Sequence, residues 1–136
     1  PTLSLSLGGP ANFGAFTAGE GRDYTATTTA TVVSTAGDAA LTVSDPSGNA
    51  TGRLVNGSFA LEQRLQAQAA SSKGGVAAPM APVGGSSSPT LLLTYNGPVS
   101  NDLLTLAFKQ SVGADEALRT GSYSKTLTFT LSTTAP

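Results

Sequence analysis

At 136 residues, 39% of them hydrophobic, the chain is long enough for one domain with a true core, since a domain of that size buries roughly two-thirds of its unfolded surface. It contains no cysteine and no histidine, which excludes a disulfide framework, thiolate chemistry, Ser-His-Asp and Cys-His catalysis and the usual zinc ligand. Only 11% of residues are charged, the net charge is −1, and the seven basic residues are scattered from Arg22 to Lys125; no cluster suits nucleic-acid phosphates, and no apolar run approaches the roughly 20 residues of a membrane-spanning helix. The polar surface must therefore come from Thr, Ser, Asn and Gln, a composition typical of extracellular β-proteins. A start at Pro1 is expected of a domain excised from a longer protein.

Residues 2–7 (TLSLSL) alternate, with Leu3, Leu5 and Leu7 on one side and Ser4 and Ser6 on the other, until Gly8-Gly9-Pro10 ends the run. Residues 12–21 form a loop or short strand whose Phe13 and Phe16 plug one end of the core. Residues 23–35 (DYTATTTATVVST) are the longest strand candidate. Tyr24, Ala26, Thr28, Ala30 and Val32 share one face, and Thr25, Thr27, Thr29 and Thr31 share the other, a period that a strand can use and a helix cannot. After a turn at Ala36-Gly37-Asp38, Leu41 and Val43 mark a short strand closed by Asp45-Pro46-Ser47-Gly48-Asn49, a strong turn signal.

Residues 51–55 suit another short strand, and Asn56-Gly57 is a hairpin signal. Residues 58–61 lean to strand, while residues 62–70 fit strand or helix, since Leu61 and Leu65 are four apart among good helix formers. Residues 71–88 (SSKGGVAAPMAPVGGSSS) are a Gly/Ser/Ala/Pro-rich loop or irregular crossover, with Val76, Met80 and Val83 available to pin it to the core. Two strands follow, with Leu91, Leu93 and Tyr95 on one face of the first and Leu104, Leu106 and Phe108 on one face of the second. Residues 112–120 read as a loop or single helical turn. The closing stretch, residues 121–133 (GSYSKTLTFTLST), sorts Tyr123, Leu127, Phe129 and Leu131 from Ser124, Thr126, Thr128 and Thr130.

Short strands separated by turns at roughly ten-residue intervals predict an all-β fold, a two-sheet antiparallel sandwich of immunoglobulin-like or jelly-roll type with seven to nine strands in a single domain spanning residues 1–136. Its expected inner faces carry Leu3, Leu5, Tyr24, Val32, Leu41, Val43, Phe59, Leu93, Leu106, Phe108, Leu127, Phe129 and Leu131.

Chemistry is sparse. The glycines at 8–9, 74–75 and 84–85 lack the lysine and following helix of a phosphate loop. The eight acids fall mostly in turns, where aspartate is a turn former, so no enzyme and no catalytic residue is expected. Asp45, Ser47 and Asn49 place oxygens at alternate positions, as calcium loops do, although Pro46 and a missing downstream glutamate favour an Asx turn; Asp45 and Asn49 are the calcium candidates, and no other cofactor is expected. Lys125 shares parity with Leu127 and Phe129, so its stem should lie on the core and snorkel to the strand end, with a lysine–aspartate or lysine–asparagine isopeptide crosslink as the sharper alternative. The threonine row of the long strand suits contact with ice, sugar or another strand, or simple exposure. Asn49-Ala50-Thr51 and Asn56-Gly57-Ser58 match the glycosylation acceptor pattern. Loops of a rigid sandwich usually carry recognition, which makes Asn96, Asn101 and Asp102 the candidate ligand-binding residues, beside loops 45–49 and 71–88.

Two stretches, NFGAFTAGEGRDYTATTTATVVSTAGDAALTVSDPSG and GSYSKTLTFTLSTTAP, resemble the accessory β-sandwich domains at the C-terminal end of secreted actinobacterial multidomain proteins. They are also similar to the WxL cell-wall-binding domains of Gram-positive surface proteins, with a shared F-G…Y…L-T-V-x-D rhythm and a final alternating strand. The chain has no tryptophan, so the WxL signature itself is missing and that family's peptidoglycan binding does not carry over. The resemblance implies a secreted or cell-surface, non-catalytic module. Its expected partner is a glycan or cell-wall polymer, or another extracellular protein, with no nucleic acid and no membrane span. The rival expectation is a structural spacer or an adhesin- or cohesin-like interaction domain without a small ligand.

Overall fold

The alternation along the longest predicted strand is realised almost residue for residue. In the computed structural model, which describes residues 1–135, Tyr24, Ala26, Ala30 and Val32 are buried while Thr25, Thr27 and Thr29 are exposed. This strand, β2 (Arg22–Ser34), follows β1 (Leu3–Leu7) and precedes β3 (Ala39–Asp45). Then come β4 (Val55–Asn56), β5 (Phe59–Ala60), β6 (Gln66–Ser71), β7 (Val76–Ala77), β8 (Ala81–Pro82), β9 (Gly84–Gly85), β10 (Thr90–Tyr95), β11 (Val99–Val112) and β12 (Thr128–Ser132). Seven of these run five residues or more (β1, β2, β3, β6, β10, β11 and β12), the rest are two-residue pieces, and no helix occurs among the described residues.

Two sheets pack face to face, and the fold is an all-β sandwich. The first has the order β1-β2-β11-β6-β8, the second β12-β3-β10-β7, with β9 added to β3 as a short parallel pair. The spine of the first sheet is the antiparallel β2–β11 ladder, which runs from Arg22 opposite Val112 to Ser34 opposite Val99. Leu104 and Leu106 of β11, Val32 of β2, Leu41 and Val43 of β3 and Leu93 of β10 are at most 1% exposed and form one shared interior. Phe108 and Phe129 meet edge-on across the gap between the sheets, with ring centroids 6.4 Å apart. Burying a leucine or valine is worth roughly 1.5–3 kcal/mol, so this contiguous cluster supplies the main driving force.

Several expectations change. The closing stretch joins the two packed sheets only over Thr128–Ser132, as an edge strand beside β3, and further upstream makes a lone antiparallel bridge from Ser124 to Val55 of β4. Leu127, Phe129 and Leu131 consequently face inward but are only partly buried, as are Leu3 and Leu5 on the opposite edge strand. Phe59 is not a core residue: it sits on the separate β4–β5 hairpin, 46% exposed, with the Arg119 guanidinium 4.3 Å over its ring. Leu91 is also exposed, because a register shift between Leu91 and Leu93 turns Leu92 inward beside Leu93. Residues 66–71 take the strand option; Ala67 and Ala69 are buried and β6 is bonded to β11 on one side and β8 on the other. Within the Gly/Ser/Ala/Pro-rich segment Val83 is fully buried, Met80 is half-buried and Val76 is exposed.

The sandwich has two distinct poles. At one lie the β2–β3 and β10–β11 turns, and both ends of the described chain join them: the Thr35 N–H donates to the Thr2 carbonyl (2.9 Å) and the Gly37 N–H to that of Ala135 (2.7 Å). A Cβ on Gly37 would sit 2.7 Å from that same Ala135 oxygen, so the close approach requires glycine. At the other pole lie the loops after β3, before β2 and after β11.

Candidate functional site

Asp102 reaches the interior because of a bulge. β11 gains one residue between Val99 and Asp102, with Asn101 at φ 52°, and the strand then runs in phase with Leu104 and Leu106 facing the core. Asp102 is 0% exposed. One carboxylate oxygen accepts from Ser71 Oγ and Tyr95 OH, both at 2.5 Å; the other accepts from the backbone N–H and the Oγ of Ser72, both at 2.9 Å. Burial pushes its pKa up, but the Ser71, Tyr95 and Ser72 hydrogen bonds outweigh it and hold the carboxyl below its usual range. Burial, together with the Asp102 hydrogen bond and charge, lifts the Tyr95 phenol well above its normal value. Of the three predicted ligand-binding residues, Asn96 and Asn101 are therefore exposed at the turn pole, whereas Asp102 points away from solvent and braces the β6 and β10 strand ends. Asn96 lines a shallow pocket of about 280 Å³ with Asp38, Tyr95 and Thr134.

The predicted calcium loop does converge on a cation, and that cation is Lys125. Asp45 accepts from Ser47 N–H (3.0 Å) through one oxygen, and its other oxygen takes Gly52 N–H (2.8 Å) and lies 3.1 Å from Lys125 Nζ. The ammonium also donates to the carbonyls of Asn49 and Ala50. Both side chains are almost fully buried. Burial raises the Asp45 pKa, but the Gly52, Ser47 and Lys125 hydrogen bonds overcome it and leave the carboxyl lowered. Asn49 contributes its backbone, while its side-chain amide donates to the Gly57 carbonyl at 3.3 Å. Among the described residues no group of three or more Asp, Glu, His or Cys side chains is placed to hold a metal. Lys125 does not snorkel outward; it turns to this loop, and the partners form an ion pair.

The threonine row of β2 proves to be part of a wider face. The residues opposite one another along the first sheet continue it: Ser6 faces Thr31, Thr105 faces Thr29, and Gln66 and Gln68 lie one strand further, opposite Lys109 and Ala107. Ser4, Ser6, Thr25, Thr27, Thr29 and Thr105 are exposed, and Thr31, Gln66 and Gln68 half-buried. The result is a surface four strands wide that is rich in hydroxyls and amides and is interrupted on β11 by Ala107, opposite Thr27, and by Leu103, opposite Thr31 and 56% exposed. Its charges are confined to Lys109 and, at one end, Asp23, which accepts from Ser111 Oγ at 2.6 Å.

A cavity larger than the Asn96 pocket lies elsewhere. It measures about 870 Å³ and lies between the inner faces of the two sheets where the β1–β2 loop and the segment before β12 cover their edges. Leu54, Leu65, Leu106 and Phe108, all 6% exposed or less, form part of its lining, and Phe13, Phe16, Tyr123 and Leu127 lie nearer its rim. Phe13 and Phe16 therefore flank an opening at the side of the sandwich as well as packing on the core. Gly8 N–H bonds the Thr29 carbonyl (2.7 Å) and Thr28 Oγ1 the Gly9 carbonyl (2.5 Å), stitching the base of this loop to β2.

Sequence reasoning identified the threonines of β2 but not their continuation, which depends on strand order. It had a signal for the inward Asp102, which lies two residues before Leu104, and read that residue as a loop ligand. Neither protein-family models, nor curated proteins, nor solved structures match the chain.

Proposed function

We propose that this chain is a non-catalytic extracellular accessory module that lies against a glycan or cell-wall surface through the outer face of its first sheet. The observation that carries the reading is the hydroxyl- and amide-rich face on β1, β2, β11 and β6, in which Leu103 and Ala107 of β11 supply apolar contacts among the polar groups. Four strands span about 14 Å and the exposed length of β2 about 27 Å, dimensions suited to an extended polymer. Hydroxyls and amides both donate and accept hydrogen bonds, as sugar hydroxyls require, and a face with little charge suits a neutral chain. Without exposed tryptophan or tyrosine platforms, each contact is weak, so retention depends on many of them acting together.

The non-catalytic reading is supported by the local engagement of four of the eight acids. Asp45 is paired with Lys125, Asp102 holds four donors, Glu116 accepts from Glu62 N–H and Gly113 N–H, and Asp38 is occupied by Thr133, Thr134 and Ala135.

Sedimentation with insoluble glucan, chitin and peptidoglycan tests it. At least one polymer should retain the protein, and Thr27→Glu, at an exposed site opposite Ala107, should release it without changing the melting temperature. Equal retention of the variant, or no retention of the native chain by any polymer, refutes the proposed face.

A further inference from the structure

Buried apolar side chains normally meet other side chains, whereas Leu54, Leu65, Leu106 and Phe108 line a space of about 870 Å³ that opens to solvent at the side of the sandwich. The volume falls within the range of roughly 300–1,000 Å³ usual for small-molecule sites. Its deep lining is aliphatic and aromatic, a surface that hydrocarbon covers more favourably than water does.

The charges around it decide the rest of the ligand. No acid lines the cavity, and its two charged lining residues are both cations, Lys125 and Arg119. Lys125 is committed to Asp45 and two carbonyls. Arg119 is exposed, and only the face of its guanidinium is engaged, by the Phe59 ring. The N–H edge of that group has no protein acceptor among the described residues, and a stacked guanidinium is pre-organised to take a carboxylate through two parallel bonds. The geometry points to a binding site for a long-chain carboxylate, with its hydrocarbon tail between the sheets and its head group on Arg119. The β1–β2 loop forms the cover; it is tied to β2 at Gly8 and Gly9 and carries glycines at positive φ at positions 14 and 19, where the backbone bends freely.

Dodecanoate below its micellar concentration is the probe, followed through the methyl resonances of the native chain, with dodecyltrimethylammonium as the cationic control. Dodecanoate should shift the Leu54, Leu65 and Leu106 methyls saturably and bind more tightly than the control. Arg119→Glu changes an exposed side chain, so folding is retained; it should weaken dodecanoate roughly tenfold or more, the loss of one charge-assisted contact, and improve binding of the control. Saturable binding that leaves these methyls unshifted, no binding of dodecanoate, or an unchanged carboxylate preference in Arg119→Glu overturns the assignment. The cavity and the hydroxyl face lie on opposite sides of the first sheet, so neither result bears on the other.

Discussion

Replacing Asp102 with asparagine keeps the side chain's shape but removes its charge and one of its two acceptor atoms. The remaining oxygen stays with Ser72, whose backbone N–H cannot turn away. The new NH₂ then faces Ser71 Oγ and Tyr95 OH, which both donate in the native structure. Ser71 Oγ has no spare capacity, because it already accepts from Lys73 N–H (3.2 Å) and Gly75 N–H (2.9 Å). Two hydrogen bonds to a charged acceptor are lost, and the protons of the buried Tyr95 and the half-buried Ser71 hydroxyls are left without their acceptor. At about 1.5–3 kcal/mol per charged bond, Asp102→Asn should destabilise by roughly 3–5 kcal/mol, a large share of the 5–15 kcal/mol of a typical domain. Tyr95→Phe loses one such bond and strands nothing, so it should cost about 1.5–3 kcal/mol. The two effects share a partner, so Tyr95→Phe should cost much less in the Asp102→Asn background, a coupling on the order of 1–2 kcal/mol. Urea unfolding at neutral pH, followed by far-UV circular dichroism, measures all three variants. A change of under about 0.5 kcal/mol for Asp102→Asn, the range of inert surface substitutions, or strict additivity of the pair, would refute the bracing role.

Lys125→Met should destabilise by about 3 kcal/mol or more, since it strands the buried Asp45 carboxylate, and adding Asp45→Asn should recover part of the loss; equal costs for the single and double variants would count against the pair. Because the ammonium already occupies the loop, excess calcium or a chelator should leave the melting temperature unchanged, and the intact mass should equal the sequence mass; a mass one water lower would reveal an amide crosslink instead. Stability should be flat from about pH 5 to 9, as there is no histidine to titrate. Asp38, Asp45 and Asp102 have lowered pKa values, so their contribution is present above the unfolded value of about 3.9 and is lost as pH falls through the lower folded values. The raised Tyr95 acts in the opposite direction, its contribution being complete below about pH 10 and lost as pH climbs toward the folded value; unchanged urea midpoints from pH 5 to 2 would contradict the acid limb. Asp38→Ala should abolish hydrogen-exchange protection of the Thr134 and Ala135 amides, which donate to Asp38 at 2.9 and 2.8 Å, while leaving the β2–β11 ladder protected.

Alternation was the most legible property of the chain because it is a local one. In β2 and β11 each side chain's face follows from its neighbours two positions away, and Val32, Leu104 and Leu106 lie where that pattern puts them. The pattern misleads where the backbone gains a residue. At the β10 register shift Leu91 is displaced outward and Leu92 inward, a change that no side chain in TLLLTY announces. It also cannot rank strands. Residues 121–133 show clean alternation, yet they supply an edge, because an edge strand needs only one greasy face and one bonded neighbour. Lys125 illustrates a different limit: its inward parity was readable, but its partner Asp45 lies eighty positions earlier, and only the β3–β12 pairing brings the two segments together.

The same dependence on strand order explains why one strand serves two surfaces. Thr27 and Thr29 point outward into the hydroxyl face, while Thr28, between them, points inward, lines the cavity and holds the Gly9 carbonyl. Thr29 adds its own carbonyl to the loop through Gly8 N–H, and a Cβ on Gly8 would lie within 2.9 Å of both Thr29 Oγ1 and that carbonyl. Glycine is therefore needed for the loop to leave β1 so close to β2. The outer face is held by the β1, β2, β11 and β6 ladders, whereas the cavity cover is held by its base at Gly8 and Gly9, by Thr17 N–H on Tyr24 OH (2.8 Å) and by Phe16 packed edge-on against Tyr24. A substitution at Gly8 thus acts on the cover and on Thr29 together, while one at Thr28 acts on the cover alone. Gly8→Val should accordingly alter both polymer retention and dodecanoate binding, and Thr28→Val only the latter; the reverse pattern would show that the two surfaces do not meet at this strand.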